Sequence, residues 1–385
     1  MAAVIAFRFV SAAQQVIFGA GSLDGLGDAI FGFGWERVLL CTIPRFRSSG
    51  LVNRVAETLG ERLAAVYAEA EPHVPEAQVD AATALAYENK VDAVIGLGGG
   101  SPIGLAKAVS LALEEKRIGR TAFARSPTEQ PLVPVIAVPT TYAGSEMTPI
   151  YGVTRDVDGT PRKVTVSDPK VTPKLVIYDP VLTLDLPPEM TASSGINALA
   201  HCVEAVYSTT RNPVATAAAL AGTRLIYRNL PAAVAKGDDL DARTGLLEGA
   251  YLAATAIATA RIGLHHGLCH ALGGTVGMPH GIANAVMLPH AMRFNSRGVA
   301  EELAMIAHAI GLSGDNDTVL AERVCRAVND LIASISLPQR LRDVGVMEAD
   351  LPGLAEAALL SKAIRANPVE IAGPAEIEAI YRAAF

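Results

Sequence analysis

Short apolar runs bounded by Gly, Pro and charged residues alternate with longer amphipathic stretches through the first half of the chain. Residues 16–21 (VIFGAG) read as a strand and turn, and 37–42 (RVLLCT) as a buried strand. A helix follows over Leu51–Arg62, then a short strand at 64–68 (AAVYA) and a helix over 76–89. Residues 91–100 (VDAVIGLGGG) read as a strand running into a glycine loop, and 101–115 as the next helix. Further strands are predicted at 133–141 and 174–180. Alternation of this kind predicts a parallel sheet wrapped by helices. After Pro188 the strand signals vanish, and Ala, Leu and Ile recur at helical spacing to the C-terminus. The pattern predicts an α/β domain over 1–185 and an all-helical domain over 186–385, with the change inside YDPVLTLDLPPEM.

The chain has 385 residues, half of them hydrophobic and 18% charged, enough for a large core and a two-domain organisation. Net charge is −7, and the basic residues form no runs. Nucleic acid and anionic membrane are therefore not expected partners. No uncharged apolar run reaches the ~18 residues of a membrane span. MAAVIAFRFV lacks the basic start and the length of a signal peptide. The widely spaced Cys41, Cys202, Cys269 and Cys325 read as reduced thiols, so a cytoplasmic location is expected.

Three groups of residues carry candidate chemistry. In GLGGGSPIGLAKA (96–108), Gly98, Gly99 and Gly100 lead to Ser101, read as a helix N-cap, and Pro102 in the first turn. Glycines let backbone N–H groups approach an anion, and a helix N-terminus favours negative charge, so the loop is a candidate diphosphate cradle. It is not GxGxxG, so the common dinucleotide fingerprint is absent. In VPTTYAGSEMTP (138–149), Thr140, Thr141, Tyr142, Ser145 and Thr148 follow an apolar strand, where ligands of open α/β sheets bind. Third, half of the chain's eight histidines fall within LHHGLCHALGGTVGMPHG (264–281). His266 and His270 share the i,i+4 spacing of Asn197 and His201. Imidazoles converging from separate helices can bind a divalent metal or donate protons. His280, between Pro279 and Gly281, reads as part of a turn. His265, His290 and His73 read as structural.

The order GGGS, PTT-x-AGSEMTP, G-x-N-A-x-A-H-x-x-E, H-x-x-x-H-x-L-G-G and PHG-x-A-N-A resembles the iron-containing alcohol dehydrogenase superfamily over nearly the whole chain. GGGSPIGLAKA, TTYAGSEMTPIYG, SSGINALAHCVEAVYS and LHHGLCHALGGT are most similar to its maleylacetate reductase branch. The resemblance implies the dehydroquinate synthase-like fold and NADH or NADPH as cofactor, bound between the domains. Gly98, Gly99, Gly100 and Ser101 would then lie at the pyrophosphate, with Thr140, Thr141, Tyr142, Thr148 and Lys163 also on the cofactor. It also implies a homodimer.

In metal-dependent members one Asp and three His hold the ion. The corresponding positions here are Asn197, His201, His266 and His280. Fe or Zn is thus admitted at these residues but not expected to be essential, because Asn197 removes the anionic ligand. Gly104 stands where the alcohol dehydrogenases carry a further Asp. Gly267 departs from the reductase branch, which usually has Lys there, and PHGIANAVMLPHAMRFN is closer to an ordinary alcohol dehydrogenase. The implied activity is NAD(P)H-dependent reduction of the carbon–carbon double bond of maleylacetate, a dicarboxylate, or of a close 4-oxo-enoate. The product, 3-oxoadipate, belongs to aromatic-compound catabolism. The alternatives are a metal-dependent alcohol or aldehyde dehydrogenase and a nucleotide-binding protein without catalysis. In the reductase, His201, His266 and His280 would hold the oxyanion or a carboxylate as protonated or N–H-donating rings, and His270 would relay a proton. Arg261 or Arg293 is a candidate for the substrate carboxylates.

Overall fold

The computed structural model describes residues 7, 9–157 and 160–385. The chain divides into two compact units, Val10–Leu184 and, in the main, Asp185–Phe385.

The first unit is built on β1 (Gln15–Phe18), β2 (Val38–Cys41), β3 (Leu63–Tyr67), β4 (Ala93–Gly98), β5 (Val135–Pro139) and β8 (Leu175–Tyr178). These strands form one sheet in the order β1-β8-β5-β4-β2-β3, with every pairing parallel. All positions of β2, β4 and β5 are buried, because helices cover both faces of a parallel sheet. Val38, Leu40, Ala93, Ile95 and Ile136 face α1 (Leu26–Gly32) and α3 (Leu51–Leu59). The alternate positions Leu39, Val94 and Val135 face α4 (Glu76–Glu88) and α5 (Gly100–Ile118). A four-residue helix, α2 (Arg45–Ser48), follows β2.

The pairing of β4 with β5 sets Gly98 opposite Pro139, and the Thr140 N–H donates to the Gly98 carbonyl at 3.1 Å. The glycine loop and the hydroxyl-bearing loop therefore leave the sheet side by side at its carboxyl edge, where open α/β sheets bind ligands.

The antiparallel hairpin of β6 (Ile150–Val157) and β7 (Thr160–Ser167) is absent from the sequence expectation. Tyr151 and Val153 pack against the core beside α5, which explains why that helix is apolar around almost its whole circumference. Lys107, on α5, is fully buried, and burial pulls its amine down to about 7. Its Nζ donates to the carbonyls of Ser145, Thr148 and Ile150 at 2.6, 2.7 and 2.9 Å. One side chain thus ties down the segment that ends the hydroxyl-rich loop.

The second unit is helical, as the loss of strand signals predicts: α6 (Pro188–Tyr207), α7 (Pro213–Ala235), α8 (Leu240–Ile257), α9 (Leu264–Val276), α10 (His280–Asn295), α11 (Ala300–Ala309), α12 (Asp317–Ser334), α13 (Leu351–Leu359), α14 (Lys362–Arg365) and α15 (Pro374–Ala383). Small residues let α6, α7 and α8 cross closely: a Cβ at Gly222 would lie 2.9 Å from Cys202 Sγ and 3.0 Å from the Gly249 carbonyl. A second core joins Leu268 and Leu272 of α9, Val286 and Met287 of α10, Leu354 of α13, and Ile377 and Tyr381 of α15. No helix among the described residues is long and apolar enough to cross a membrane.

Candidate active site

The chain enters α5 two residues earlier than the Ser–Pro signal predicts. Gly99 takes the cap position, Gly100 is the first helical residue, and Ser101 lies inside the first turn. The expectation that Ser101 is the N-cap is therefore corrected. Glycine needs no Cβ clearance to begin the turn, and Pro102 is tolerated at the third position because that N–H has no helical partner anyway. No side chain caps the helix, so its first N–H groups are left for another acceptor. The space above Gly100 is open. Gly98 has φ +137°, where a side chain would be strained, and a Cβ there would meet Pro102 and Phe46. A Cβ at Gly99 would lie 3.2 Å from Thr141 Cγ2 and 3.3 Å from its Oγ1. This cradle fits a diphosphate, since any side chain would fill it.

Thr140, Thr141 and Thr148 are buried, and Tyr142 is fully so. The Thr148 hydroxyl donates to the Ser145 carbonyl at 3.3 Å. Lys163 falls on β7, but its side chain lies outside the described residues.

In the helical unit α6, α9 and α10 bring four histidines together. The His201 and His266 rings stack 4.9 Å apart with an interplanar angle of 8°. The His266 ring lies 6.2 Å from His270 and 5.8 Å from His280, and His270 and His280 are 5.8 Å apart. His201 and His266 are buried, whereas His270 and His280 are exposed. Asn197 is buried one turn before His201 on α6. His280 is the first residue of α10 rather than part of a turn, a second correction. Pro279 adopts extended backbone (φ −56°, ψ 132°) as the residue before the helix, and Gly281 permits a close approach: a Cβ there would lie 2.7 Å from Ser193 Cβ on α6.

Burial, reinforced by His266 and His265, holds His201 well below the ordinary imidazole range. Burial and then His270 pull His266 down to about 3. Both rings are neutral near pH 7, so the expectation of protonated imidazoles fails for them, and N–H donation remains. His201 Nδ1 and His266 Nε2 are buried with no hydrogen-bond partner. Native interiors rarely leave such atoms unmet, which marks the space between these rings for a polar atom.

Sequence reasoning assigned no role to Glu204, although it closes the H-x-x-E motif. Its Oε1 accepts from the Gly263 and His265 N–H groups at 3.0 Å each, and its Oε2 lies 2.5 Å from His266 Nδ1. Burial pushes this carboxyl up, opposed by His265 and by the N–H donors. The usable signal was a single carboxylate within the apolar run INALAHCVEAVY, which cannot be buried without partners.

Without a carboxylate, the residues present are a weaker set for a resident divalent ion than one Asp with three His. Asn197 supplies a neutral amide where a carboxylate would offset the charge, and Glu204 is engaged behind His266. Among the described residues no three His, Cys, Asp or Glu side chains are disposed around one point as ligands. Gly267 has a packing cause: a Cβ there would lie 2.7 Å from Ile364 Cγ1 and Cδ1, so a Lys would displace α14. Arg293 is thirteen residues along α10 from His280, about 20 Å at 1.5 Å per residue, too far to share a small substrate with it. Arg261 is exposed just before α9.

Residues 13–180 match the family described as iron-containing alcohol dehydrogenase, and residues 191–385 match the C-terminal part of the Fe-containing alcohol dehydrogenase family. The chain is 38% identical to a maleylacetate reductase of Sphingobium indicum, covering 96% of this chain and 93% of that one. It is similar to the crystal structure of maleylacetate reductase from Rhizobium sp. strain MTP-10005, with 33% identity, a TM-score of 0.85 and coverage of 99% and 98%. A 1,3-propanediol oxidoreductase structure is also 33% identical, with a TM-score of 0.90 and coverage of 99% and 100%. With both units matched in order, and with relatives of this identity along nearly its full length, the chain belongs to the iron-containing alcohol dehydrogenase family of NAD(P)H-dependent oxidoreductases.

Proposed function

We propose that this enzyme reduces the carbon–carbon double bond of maleylacetate, or of a close 4-oxo-enoate, to give 3-oxoadipate. The observation that carries this reading is the pair of neutral, buried histidines with unmet nitrogens, set beside Asn197 instead of an acidic ligand. When bound, NADH or NADPH supplies a hydride to the carbon β to the ketone, which leaves the charge on the ketone oxygen as an enolate. Neutral N–H donors in a water-poor site stabilise that oxygen. His201, His266 and His280 hold it or a neighbouring carboxylate. His270, exposed and within reach of the cluster, moves the proton to the α carbon. The hydride and the proton balance the product. Oxidising a simple alcohol would instead call for a Lewis acid to lower the alcohol's pKa. Arg261, which precedes α9 by three residues, is assigned to a substrate carboxylate.

The glycine loop and Thr140, Thr141, Tyr142, Thr148 and Lys163 are assigned to the cofactor. The enzyme is further read as a cytoplasmic homodimer, from the family resemblance and its four reduced, buried cysteines. One observation favours the second reading, a metal-dependent alcohol or aldehyde dehydrogenase: a carboxylate behind an imidazole, as in Glu204–His266, also orients metal ligands. Following NADH consumption with maleylacetate and with a panel of aldehydes, and identifying the products, separates the two. Formation of 3-oxoadipate is the expected result. Turnover of aldehydes alone would sink the proposal.

NADPH is expected to serve as well as NADH. Enzymes that demand NAD place a carboxylate after the second strand to bind the ribose 2′-hydroxyl. Here β2 leads to Thr42, Ile43, Pro44 and Arg45, and Arg45 and Arg47 are exposed on either side of Phe46, which itself packs near Gly98. Two guanidiniums flanking Phe46 in sequence would suit a 2′-phosphate. If kcat/KM with NADPH were below about a hundredth of that with NADH, a gap of roughly 2.7 kcal/mol, these arginines would have no such role.

A further inference from the structure

The geometry points to Glu204 as a positioning residue that holds the His266 ring so that Nε2 faces the substrate oxygen as an N–H donor. This rests on the oxyanion-holding role proposed above. Two backbone donors at the start of α9, Gly263 and His265, fix one carboxyl oxygen of Glu204, which leaves the other aimed at His266 Nδ1. The carboxyl therefore locks the ring to the very backbone that carries it. With Nδ1 so engaged, Nε2 is the only ring nitrogen left for a ligand, and it is buried without a partner against the parallel ring of His201.

An enolate oxygen accepts only from a protonated nitrogen, so the proposed role requires hydrogen on Nε2 of a neutral ring, with Nδ1 accepting from the Glu204 carboxyl. A metal ligand would need the opposite arrangement, with Nε2 bare.

A purely structural role, capping α9, predicts something different, and paired substitutions separate the two. Glu204→Gln keeps an oxygen for the Gly263 and His265 N–H groups, and its amide N–H can donate to Nδ1, which fixes the Nε2–H form. Glu204→Leu removes both functions at similar volume. Glu204→Gln is expected to lower kcat with maleylacetate about threefold to tenfold. Glu204→Leu is expected to lower it about 100-fold, the upper range for residues that orient an active imidazole, with NADH affinity unchanged. Equal losses in the two variants, or a Glu204→Leu enzyme with wild-type kcat, would overturn the proposal.

The ring itself can be read directly by long-range ¹⁵N–¹H correlation NMR of the full-length enzyme, with the His266 signals assigned by their loss in His266→Gln. Nε2-protonated His266 is expected in the wild type and in Glu204→Gln. A bare Nε2 with Nδ1 protonated would overturn the role, even if Glu204→Leu fails to fold. This readout does not depend on the substrate: a wild-type enzyme inert towards maleylacetate but with Nε2–H on His266 would refute the substrate and leave Glu204 in place.

Discussion

His266→Ala is expected to lower kcat for maleylacetate about 100- to 1000-fold, the range measured when a preorganised oxyanion donor is removed. NADH affinity should stay within about twofold, since the glycine cradle lies in the other structural unit. KM should change little. The enolate charge exists only as the hydride arrives, so a donor that serves it contributes to the transition state and hardly to the ground state. A rise in KM at constant kcat would instead show that His266 binds a substrate carboxylate. Circular dichroism checks that the helical unit persists without the ring that stacks on His201. Steady-state kinetics then distinguish the two outcomes.

Gly99→Val is expected to weaken NADH binding by about 100-fold or more, about 2.7 kcal/mol at 1.4 kcal/mol per tenfold. The cause is steric and local. Gly99 has φ −84°, which any residue adopts, so the backbone bears no strain from the substitution. A Cβ would already press on Thr141 at 3.2 Å, and the two valine methyls would occupy the approach to the first turn of α5. The fold should persist, since β4 ends one residue earlier and its pairing with β5 is untouched. Fluorescence titration of NADH, alongside thermal unfolding, checks both parts. Unchanged affinity in a folded variant would place the cradle elsewhere.

The parts of the fold that sequence could reveal are those where burial leaves a continuous mark. β2, β4, β5 and β8 are covered on both faces, so they read as unbroken apolar runs. The hairpin β6–β7 escaped because only one face packs, and Arg155, Asp156, Arg162 and Lys163 interrupt its alternation. Its trace lay elsewhere, in the absence of a polar face on α5, which has to be covered by something. Local signals misled by a residue or two. Ser101–Pro102 resembles a cap, yet two glycines before it let the helix begin sooner. Pro279–His280–Gly281 resembles a turn, yet the proline precedes a helix and the glycine serves close packing on Ser193. The pairs Asn197–His201 and His266–His270 were legible from spacing, since i,i+4 residues share a helix face, whereas His280 joined them only through the family resemblance. Its protonation was not, because neutrality follows from burial by helices distant in sequence. Nor was the function of Glu204, whose partners lie about sixty residues away on α9.

The most direct test of a metal-independent reductase is to strip the purified enzyme with a chelator, verify the metal content, and measure maleylacetate-dependent NADH oxidation. The neutral histidines beside Asn197 predict that the stripped enzyme keeps most of its activity and that added Fe²⁺ or Zn²⁺ changes it little. Activity that disappears on chelation and returns with either ion would contradict this, making His201, His266 and His280 metal ligands despite Asn197.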